Sequence, residues 1–256
     1  MVSMMSALAK KPQSSRGGLQ SGGKYRAPDT VRETTLQALL ERQGYDAIES
    51  KQLSLISEDR PHKGDVPLWY AGHLEALVPE AVSVVGAREV SEAGKLRAHR
   101  IARELAQNAV TVVSGLAAGV DTFALQGALK GGGRVVAVLG TPLDRATPTA
   151  NGPLQEEIYT NHLLISQFRV GAQVHKANFP ARNRTMAALS AGTLIVEASD
   201  TSGTLHQAAE CTRLKRWLFV MKSVMDDAGL EWPRKFQKSY DRFVVVESVE
   251  DVLKRL

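Results

Sequence analysis

The sequence has little cysteine, few aromatic residues and no long apolar run. Cys211 is the single cysteine among 256 residues, which excludes an internal disulfide and a cysteine-rich metal cluster and is typical of a reducing cytoplasm. We interpret its thiol as a small buried apolar group. No stretch is long enough to cross a bilayer, and the start MVSMMSALA lacks a basic leader. We therefore expect a cytoplasmic protein that is neither secreted nor inserted in a membrane.

Acidic residues are missing from the first 28 positions, which hold five basic ones. Taking those five from the 32 basic residues of the chain leaves 27 bases against 27 acids, so the net charge of +5 belongs to this segment. Its Gly-rich, Ser-rich and basic composition predicts a disordered tail over residues 1–28. The remaining chain is neutral overall, so an anion-binding surface there must come from local clustering.

The motifs of several common enzyme classes are also missing. Neither a Walker loop nor the spaced glycines G-x-G-x-x-G occur, which disfavours a nicotinamide cofactor. The six histidines are scattered, and no nucleophile, base and acid stand at linked positions. We therefore predict no catalytic residue, no metal and no cofactor. Asp121 is a candidate base, but its place at a predicted helix start is more typical of a cap.

Seven short apolar runs, most of them β-branched, follow residue 80. They are AVSVVG (81–86), VTVVSG (110–115), RVVAVLG (134–140), LLIS (163–166), TLIVEA (193–198), WLFVM (217–221) and FVVV (243–246). Such runs are typical of strands buried on both faces, with amphipathic helices between them. They predict an α/β fold with a doubly wound, mainly parallel sheet over residues 76–256. We predict a small helical lead-in over 29–75, with one helix over 30–43 that Thr30 caps.

Glycine, serine and threonine recur where these strands end. The loops are GAR (86–88), SGLAAGVD (114–121), GTPLD (140–144) and EASDTSGTLHQAAE (197–210). In an open parallel sheet, ligands bind beyond the carboxyl ends of the strands, and small residues there let backbone N–H groups approach an anion. Each glycine alone is equally typical of a tight turn. Several such loops at one edge favour a phosphate or carboxylate site.

Two arginines stand in the segment FPARNRTMAALS (179–190), at the start of a predicted helix. The first turn of a helix already carries partial positive charge, so cations there indicate an anion in front of it. Solvated charges or partners of nearby carboxylates are the alternative. Residues two apart on a helix diverge by more than half a turn, so Arg182 and Arg184 reach one ligand only if Arg182 lies in the loop after Pro180.

Taken together, these motifs resemble the DprA/Smf DNA-processing family. The segments that carry the resemblance are GAR (86–88), SGLAAGVD (114–121), QGALKGGGRVVAVLGTPLDR (126–145), FPARNR (179–184) and VEASDTSGTLHQAAECTRLKRWLFV (196–220), within residues 66–222. The resemblance implies an extended Rossmann-like domain that binds and protects single-stranded DNA, usually as a homodimer. It also implies help in loading the RecA recombinase during natural transformation, without catalytic turnover.

The resemblance assigns residues to the binding site. Arg88 matches the arginine of the family's Gly-Ser-Arg motif, and the residues from Arg182 to Arg184 match its Arg-Asn-Arg. Both groups are then expected to face phosphates. The full expected DNA- and phosphate-binding set is Gly86, Arg88, Ser114, Gly115, Gly119, Asp121, Gly140, Arg182, Asn183, Arg184, Ser202, Gly203 and Thr204.

The chain departs from the family at several polar positions. Ala118 stands where arginine is common, Leu125 where histidine is common, and Met221-Lys222 where Pro-Gly is common. The Tyr-Pro-x-Glu-Asn step is reduced to Thr147-Pro148 and Asn151. No sterile-alpha-motif-like domain upstream and no winged helix after residue 222 is apparent, so we expect a compact, divergent member.

Two other functions of the same nucleotide-binding superfamily compete with DNA binding. The lysine-decarboxylase-like phosphoribohydrolases carry Gly-Gly-x-Gly-Thr-x-x-Glu, and Gln207 stands at the position of that glutamate. A carboxamide cannot serve as a carboxylate acid or base, which disfavours the hydrolase. A non-catalytic sensor of a nucleotide-derived ligand stays an alternative, because its phosphate-binding pocket has the same sequence pattern.

Overall fold

Nine strands join into one sheet in a computed structural model that describes residues 25–46, 49, 65–198 and 203–256. The strands are β1 (Arg32–Thr35), β2 (Pro67–Gly72), β3 (Ala81–Val85), β4 (Thr111–Ser114), β5 (Val135–Leu139), β6 (Leu163–Ser166), β7 (Gly192–Ile195), β8 (Trp217–Met221) and β9 (Phe243–Val246). Their order across the sheet is β1-β2-β6-β5-β4-β3-β7-β8-β9. The strands β3 to β9 run parallel, whereas β1 and β2 are antiparallel.

Helices connect the parallel strands. In the described residues they are α1 (Leu36–Arg42), α2 (Glu92–Gln107), α3 (Val120–Lys130), α4 (Gly152–Asn161), α5 (Asn178–Ala188), α6 (Gly203–Arg213), α7 (Lys222–Met225), α8 (Trp232–Ser239) and α9 (Val249–Leu253). Single 3-10 turns lie at Leu74–Ala76 and Thr149–Asn151. Among these described helices, none is long and apolar enough to cross a membrane.

The seven apolar runs form the seven parallel strands, which confirms the predicted sheet. Every residue of β3 to β7 is buried, so helices cover both faces of the sheet centre. The side chains of Leu105 on α2 and Leu125 on α3 pack there without exposed surface. Burial of an apolar side chain of this size contributes about 1.5–3 kcal/mol, so the sheet centre forms a firm base for the loops at its edges.

The sheet contains one reversal of strand order. From β3 the chain proceeds through β4 and β5 to β6 on one side, and it then returns to place β7, β8 and β9 on the other side of β3. The connections on the two sides of β3 and β7 therefore diverge and leave a crevice between the carboxyl ends of these two strands. In doubly wound folds, such a switch point is where ligands bind.

The lead-in before β3 contains more strand than we predicted. Within residues 29–46, the helix begins at Leu36 rather than at residue 31, and Thr35 Oγ1 caps it by accepting from Ala38 N at 3.2 Å. The residues before it form β1, which pairs with β2, and β2 extends the sheet beyond β6. The helical description of 29–75 was therefore incomplete, because β1 and β2 carry no clear period of their own.

The start of the described chain is attached to the sheet, although it falls within the predicted tail. The Tyr25 hydroxyl donates to Leu143 O at 2.6 Å and accepts from Gln155 Nε2 at 2.7 Å. Arg26 N donates to Glu156 Oε1 at 2.7 Å. Burial raises the pKa of the Tyr25 phenol, so this hydroxyl stays a donor. Residues 25–28 thus belong to the fold, and the other residues of the predicted tail lie outside the described part.

Candidate functional site

A cavity of about 630 Å³ opens between the carboxyl ends of β3 and β7, at the switch point of the sheet. The loop after β3 forms one wall, the start of α6 forms another, and α5 closes the third side. Its polar and aromatic lining comprises Arg88, Glu89, Asp121, Phe179, Arg182, Asn183, Glu197, Thr204, His206 and Gln207. A volume of this order accommodates a ligand of small-molecule size.

The structure brings together seven of the site residues that we expected from the sequence. These are Gly86, Arg88, Asp121, Arg182, Asn183, Gly203 and Thr204, all of which line the cavity. Ser202 lies outside the described residues. The others do not line the cavity; they are Ser114, Gly115, Gly119, Gly140 and Arg184. Three of the four predicted loops contribute lining residues, whereas the loop GTPLD (140–144) contributes none.

Arg88 is an exposed cation on the cavity wall. Its Cζ lies 5.4 Å from the ring centroid of Phe179, close enough for a cation–π contact. The loop that carries it packs against the start of α3, where a Cβ on Gly119 would stand 2.2 Å from Ala87 O. Gly119 also has φ +78, which a larger residue adopts only with strain. Gly119 thus positions the Arg88 loop.

Arg182 lies inside α5 rather than in a loop, and only 5% of it is exposed. Its Nη1 donates to Val138 O at 3.1 Å, and its Nε donates to Asn183 Oδ1 at 2.9 Å. A Cβ on Gly115 would stand 1.5 Å from Nη1, so the guanidinium occupies the space that this glycine leaves. The condition for a ligand shared with Arg184, that Arg182 lies in the loop after Pro180, is therefore not met. Two of its five N–H donors bond to other residues of the fold.

Asp121 is a buried carboxylate in the first turn of α3. Its Oδ2 accepts from Gly115 N at 3.1 Å and from Ala117 N at 3.4 Å. Burial raises the pKa of this carboxyl above its ordinary value, while the Arg182 guanidinium and the two N–H donors oppose that shift. We interpreted Asp121 as a cap of the helix start, but its carboxylate accepts from the loop before α3 instead and so holds that loop.

Arg184 does not share the cavity with Arg182. The helix α5 begins at Asn178, so Pro180 is its third residue and both arginines lie within helical turns. Proline is tolerated there, because the first backbone N–H groups of a helix have no intrahelical acceptor in any case. Two helical positions apart, the two side chains point in different directions. The idea that one ligand contacts both arginines is therefore not supported by the geometry.

Two further predicted residues contact the elements that form the cavity wall without lining the cavity themselves. Ser114 is buried and donates from Oγ to Val84 O at 2.7 Å, which ties β4 to β3. A Cβ on Gly140 would stand 2.6 Å from the Phe179 ring, so this glycine makes room for the aromatic wall. Both residues shape the cavity without facing it.

The amino end of α6 faces the cavity with small polar groups. Gly203 has no atom within 4 Å of a Cβ position, so a ligand can approach its backbone. Thr204 is 4% exposed, and no described residue hydrogen-bonds to its Oγ1. Asn183 Nδ2 donates to Gly203 O at 3.4 Å, which joins α5 to this end of α6. The partial positive charge at the start of a helix favours an anion.

Two carboxylates on the wall were not assigned to the site from the sequence. Glu197 follows β7 and accepts from Ser91 N at 2.7 Å, from Ser91 Oγ at 2.6 Å and from Arg97 Nη2 at 2.9 Å. Its charge is thus used to hold the start of α2. Glu89 is exposed beside Arg88. Glu197 follows β7 at the switch point of the sheet. That position in the sequence could have identified it as a residue of the cavity wall.

Gln207 is almost fully buried in the first turns of α6 and donates from Nε2 to Thr193 Oγ1 at 3.3 Å. The carboxamide is therefore directed toward β7, although it also lines the cavity.

Among the described residues, no group of three or more His, Cys, Asp or Glu side chains could hold a metal ion.

These features define a doubly wound α/β protein with a cavity at the switch point of its sheet, which is where proteins of this class bind their ligands. The family model described as DNA recombination-mediator protein A matches residues 50–256. The chain therefore belongs to this family of DNA-processing proteins, known as DprA or Smf. The resemblance that we noted in the sequence is thereby confirmed.

Curated relatives are similar over the central part of the chain. DNA processing protein DprA of Streptococcus pneumoniae is 43% identical over 162 residues, which cover 63% of this chain and 57% of that protein. Protein Smf of Escherichia coli is 33% identical over 190 residues, with 74% and 50% covered. This chain thus spans about half the length of the curated relatives that it matches.

Two solved structures share the fold. The structure of DprA from Streptococcus pneumoniae has a TM-score of 0.67 and 32% identity, and the match covers 85% of this chain and 81% of that one. DprA from Helicobacter pylori has a TM-score of 0.67 and 26% identity, with 77% and 92% covered. The Helicobacter pylori protein has a single-stranded DNA binding mode. These matches confirm the predicted fold class.

Proposed function

We propose that the cavity binds the sugar-phosphate backbone of single-stranded DNA and that the protein acts without catalytic turnover. The observation that carries this proposal is the meeting of two anion-binding elements in one opening: the exposed Arg88 and the amino end of α6. Charge-assisted hydrogen bonds from a guanidinium and a helix start are the usual partners of phosphate. Family membership and the Helicobacter pylori relative support DNA as the source of that phosphate.

The surface next to the cavity favours a polymer over one nucleotide. The segment 168–177 follows β6 and leads to Phe179, and its side chains are largely exposed. It presents Val170 and Val174, which are 46% and 36% exposed, together with the cations Arg169 and Lys176. Apolar contact surface next to cations suits unstacked bases on a charged backbone. A strand that leaves the cavity can continue over this segment.

The chemistry of the cavity argues against the hydrolase. Gln207 occupies the position at which the phosphoribohydrolases have glutamate, and its amide is hydrogen-bonded to Thr193. Asp121 is held by backbone N–H groups beneath the opening. We therefore expect no release of base from nucleoside monophosphates.

A series of oligonucleotides of graded length tests the proposed function. The affinity of the wild-type protein should rise over several nucleotides of single-stranded DNA, and it should fall with increasing salt because phosphate contacts release counterions. Duplex DNA of the same length should bind more weakly, since a sheet-edge cavity fits a flexible strand better than a double helix. Saturation at a mononucleotide would support the nucleotide sensor instead.

Family membership also leads us to propose two protein contacts. One is a homodimer, and the other is a RecA-type recombinase that is loaded onto the bound strand. Light scattering at micromolar concentration should give twice the 27.7 kDa of the chain. The growth of recombinase filaments on protected single strands should be faster when the protein is present, and an unchanged rate would remove the loading role.

A further inference from the structure

A second cationic surface surrounds Trp217 at the opposite, amino edge of the sheet. Arg242 Cζ lies 5.8 Å from the centroid of the Trp217 ring system, and Arg255 Cζ lies 5.2 Å from it. Arg242 Nη1 also donates to Lys215 O at 2.9 Å. Two guanidinium groups are thus held in place by one indole, which lowers the entropy that they lose on binding a ligand.

Chain topology concentrates further cations here. The helices α6, α8 and α9 each start beyond the carboxyl end of a strand and return to the amino edge, so their last residues come together. The amino-edge patch, as we name it, consists of Lys215, Lys238, Arg242, Lys254 and Arg255, all of which are exposed.

Most acidic residues of the same part of the chain lie at the other end. They follow the carboxyl ends of β8 and β9 or the start of the next helix; they are Asp226, Asp227, Glu231, Glu247, Glu250 and Asp251. Asp241 stands beside the patch, and Glu210 nearby is paired with Arg213. The surface therefore separates charge along the strand direction, although the chain beyond residue 28 is neutral overall.

Cations at helix ends have an ordinary structural role, because they complement the negative end of the helix dipole. That role accounts for Lys238 in the last turn of α8. It does not account for Arg242, which precedes β9, or for the stacking of both Arg242 and Arg255 on one indole. Fixed guanidinium groups with free N–H donors match phosphate in particular, since they bind it through paired hydrogen bonds.

We propose that the amino-edge patch is a second nucleic-acid contact, which binds the phosphate backbone without regard to base. Base stacking is not expected, because arginines already lie against Trp217. This inference goes beyond the proposed function, since it assigns a separate surface. The five residues of β8 span about 17 Å, whereas a stacked strand advances about 3.4 Å per nucleotide. A strand of two or three nucleotides in the cavity therefore does not reach the patch, and a strand of many nucleotides does.

The double variant Arg242→Ala/Arg255→Ala tests the patch. Binding is measured with fluorescent oligothymidylates of about 3 and about 40 nucleotides over a range of salt concentrations. The short probe should bind as to the wild type. Affinity for the long probe should drop about fivefold or more, and its log–log salt slope should fall by about 0.7 for each lost phosphate contact.

A matched control removes two exposed cations from the acidic end of the same region. Lys222→Ala/Arg234→Ala should leave the binding of both probes unchanged. If the loss of the indole contacts impairs folding, Lys215→Gln/Lys254→Gln removes two charges of the patch without touching those contacts, and it should again weaken the long probe alone.

Unchanged affinity and slope for the long probe in both patch variants would overturn the proposal, and so would an equal loss on both probes. The proposed function is tested separately in the same series by the affinity of Arg88→Ala for the short probe. Unchanged affinity of that variant would count against the cavity and not against the patch. The patch is supported if its variants weaken the long probe alone, whatever the outcome for Arg88.

Discussion

Arg182 is a buried cation whose guanidinium contacts Val138 O and fills the space above Gly115. Replacement by alanine should lower the free energy of unfolding by about 3–5 kcal/mol, because the nearby Asp121 carboxylate loses its compensating charge and a cavity remains. Urea denaturation measures this change. Arg169→Ala removes an exposed arginine and should cost less than about 0.5 kcal/mol. Equal stability of the two variants would contradict the structural role of Arg182.

The separate roles of the two arginines could not be derived from the sequence. The pattern of an arginine pair after proline correctly indicated a helix start. However, the helix begins two residues before Pro180, and this shift decides that Arg182 is buried and that Arg184 lies off the cavity. Burial depends on Gly115 and Val138, which come from distant strands. Such contacts are set by packing and leave no local signal.

The start of α2 links a secondary-structure element to the cavity wall. Ser91 caps this helix through Oγ, which accepts from Gly94 N at 3.0 Å and donates to Glu197. Ser91→Ala should lower the free energy of unfolding by about 1–2 kcal/mol, because the cap is lost and the Glu197 carboxylate loses a donor. Thermal unfolding monitored by circular dichroism measures the change.

The control for Ser91 is a serine in a comparable helical context. Ser239 ends α8 and donates to Lys235 O at 2.9 Å without capping a helix start. Its replacement by alanine should change stability by less than about 0.5 kcal/mol. An equal effect of both substitutions would show that the link between α2 and Glu197 contributes little.

At the level of elements, the parallel strands were predictable and the edge strands were not. Runs such as VVAVL in β5 are buried on both faces, so their composition alone identifies them. In contrast, β1 reads RETT, half of it is exposed, and it forms only because β2 offers an edge to pair with. The helix signal of Thr30 and Glu33 was misleading for the same reason, since tertiary pairing overrides a local capping pattern.

Across the whole molecule, the segment from Tyr25 joins the chain start to the loop after β5 and to α4. Tyr25→Phe removes the hydroxyl that contacts Leu143 O and Gln155 Nε2. We expect a loss of about 1–3 kcal/mol in unfolding free energy, because buried polar groups stay unsatisfied. Tyr70→Phe removes the hydroxyl of a half-buried tyrosine on β2 and should have a smaller effect in the same urea titration.

The account of the whole molecule depends on the cavity at the carboxyl edge, and Arg88→Ala tests it most directly. Arg88 is exposed, so the variant should stay folded. Binding of a short oligothymidylate is followed as a function of salt, with deletion of residues 1–24 as the control for the basic tail. The Arg88 variant should bind at least about tenfold more weakly with a slope lower by about 0.7, whereas the deletion should weaken binding modestly. If Arg88→Ala keeps the affinity and slope of the wild type while the deletion abolishes binding, the cavity is not the DNA site.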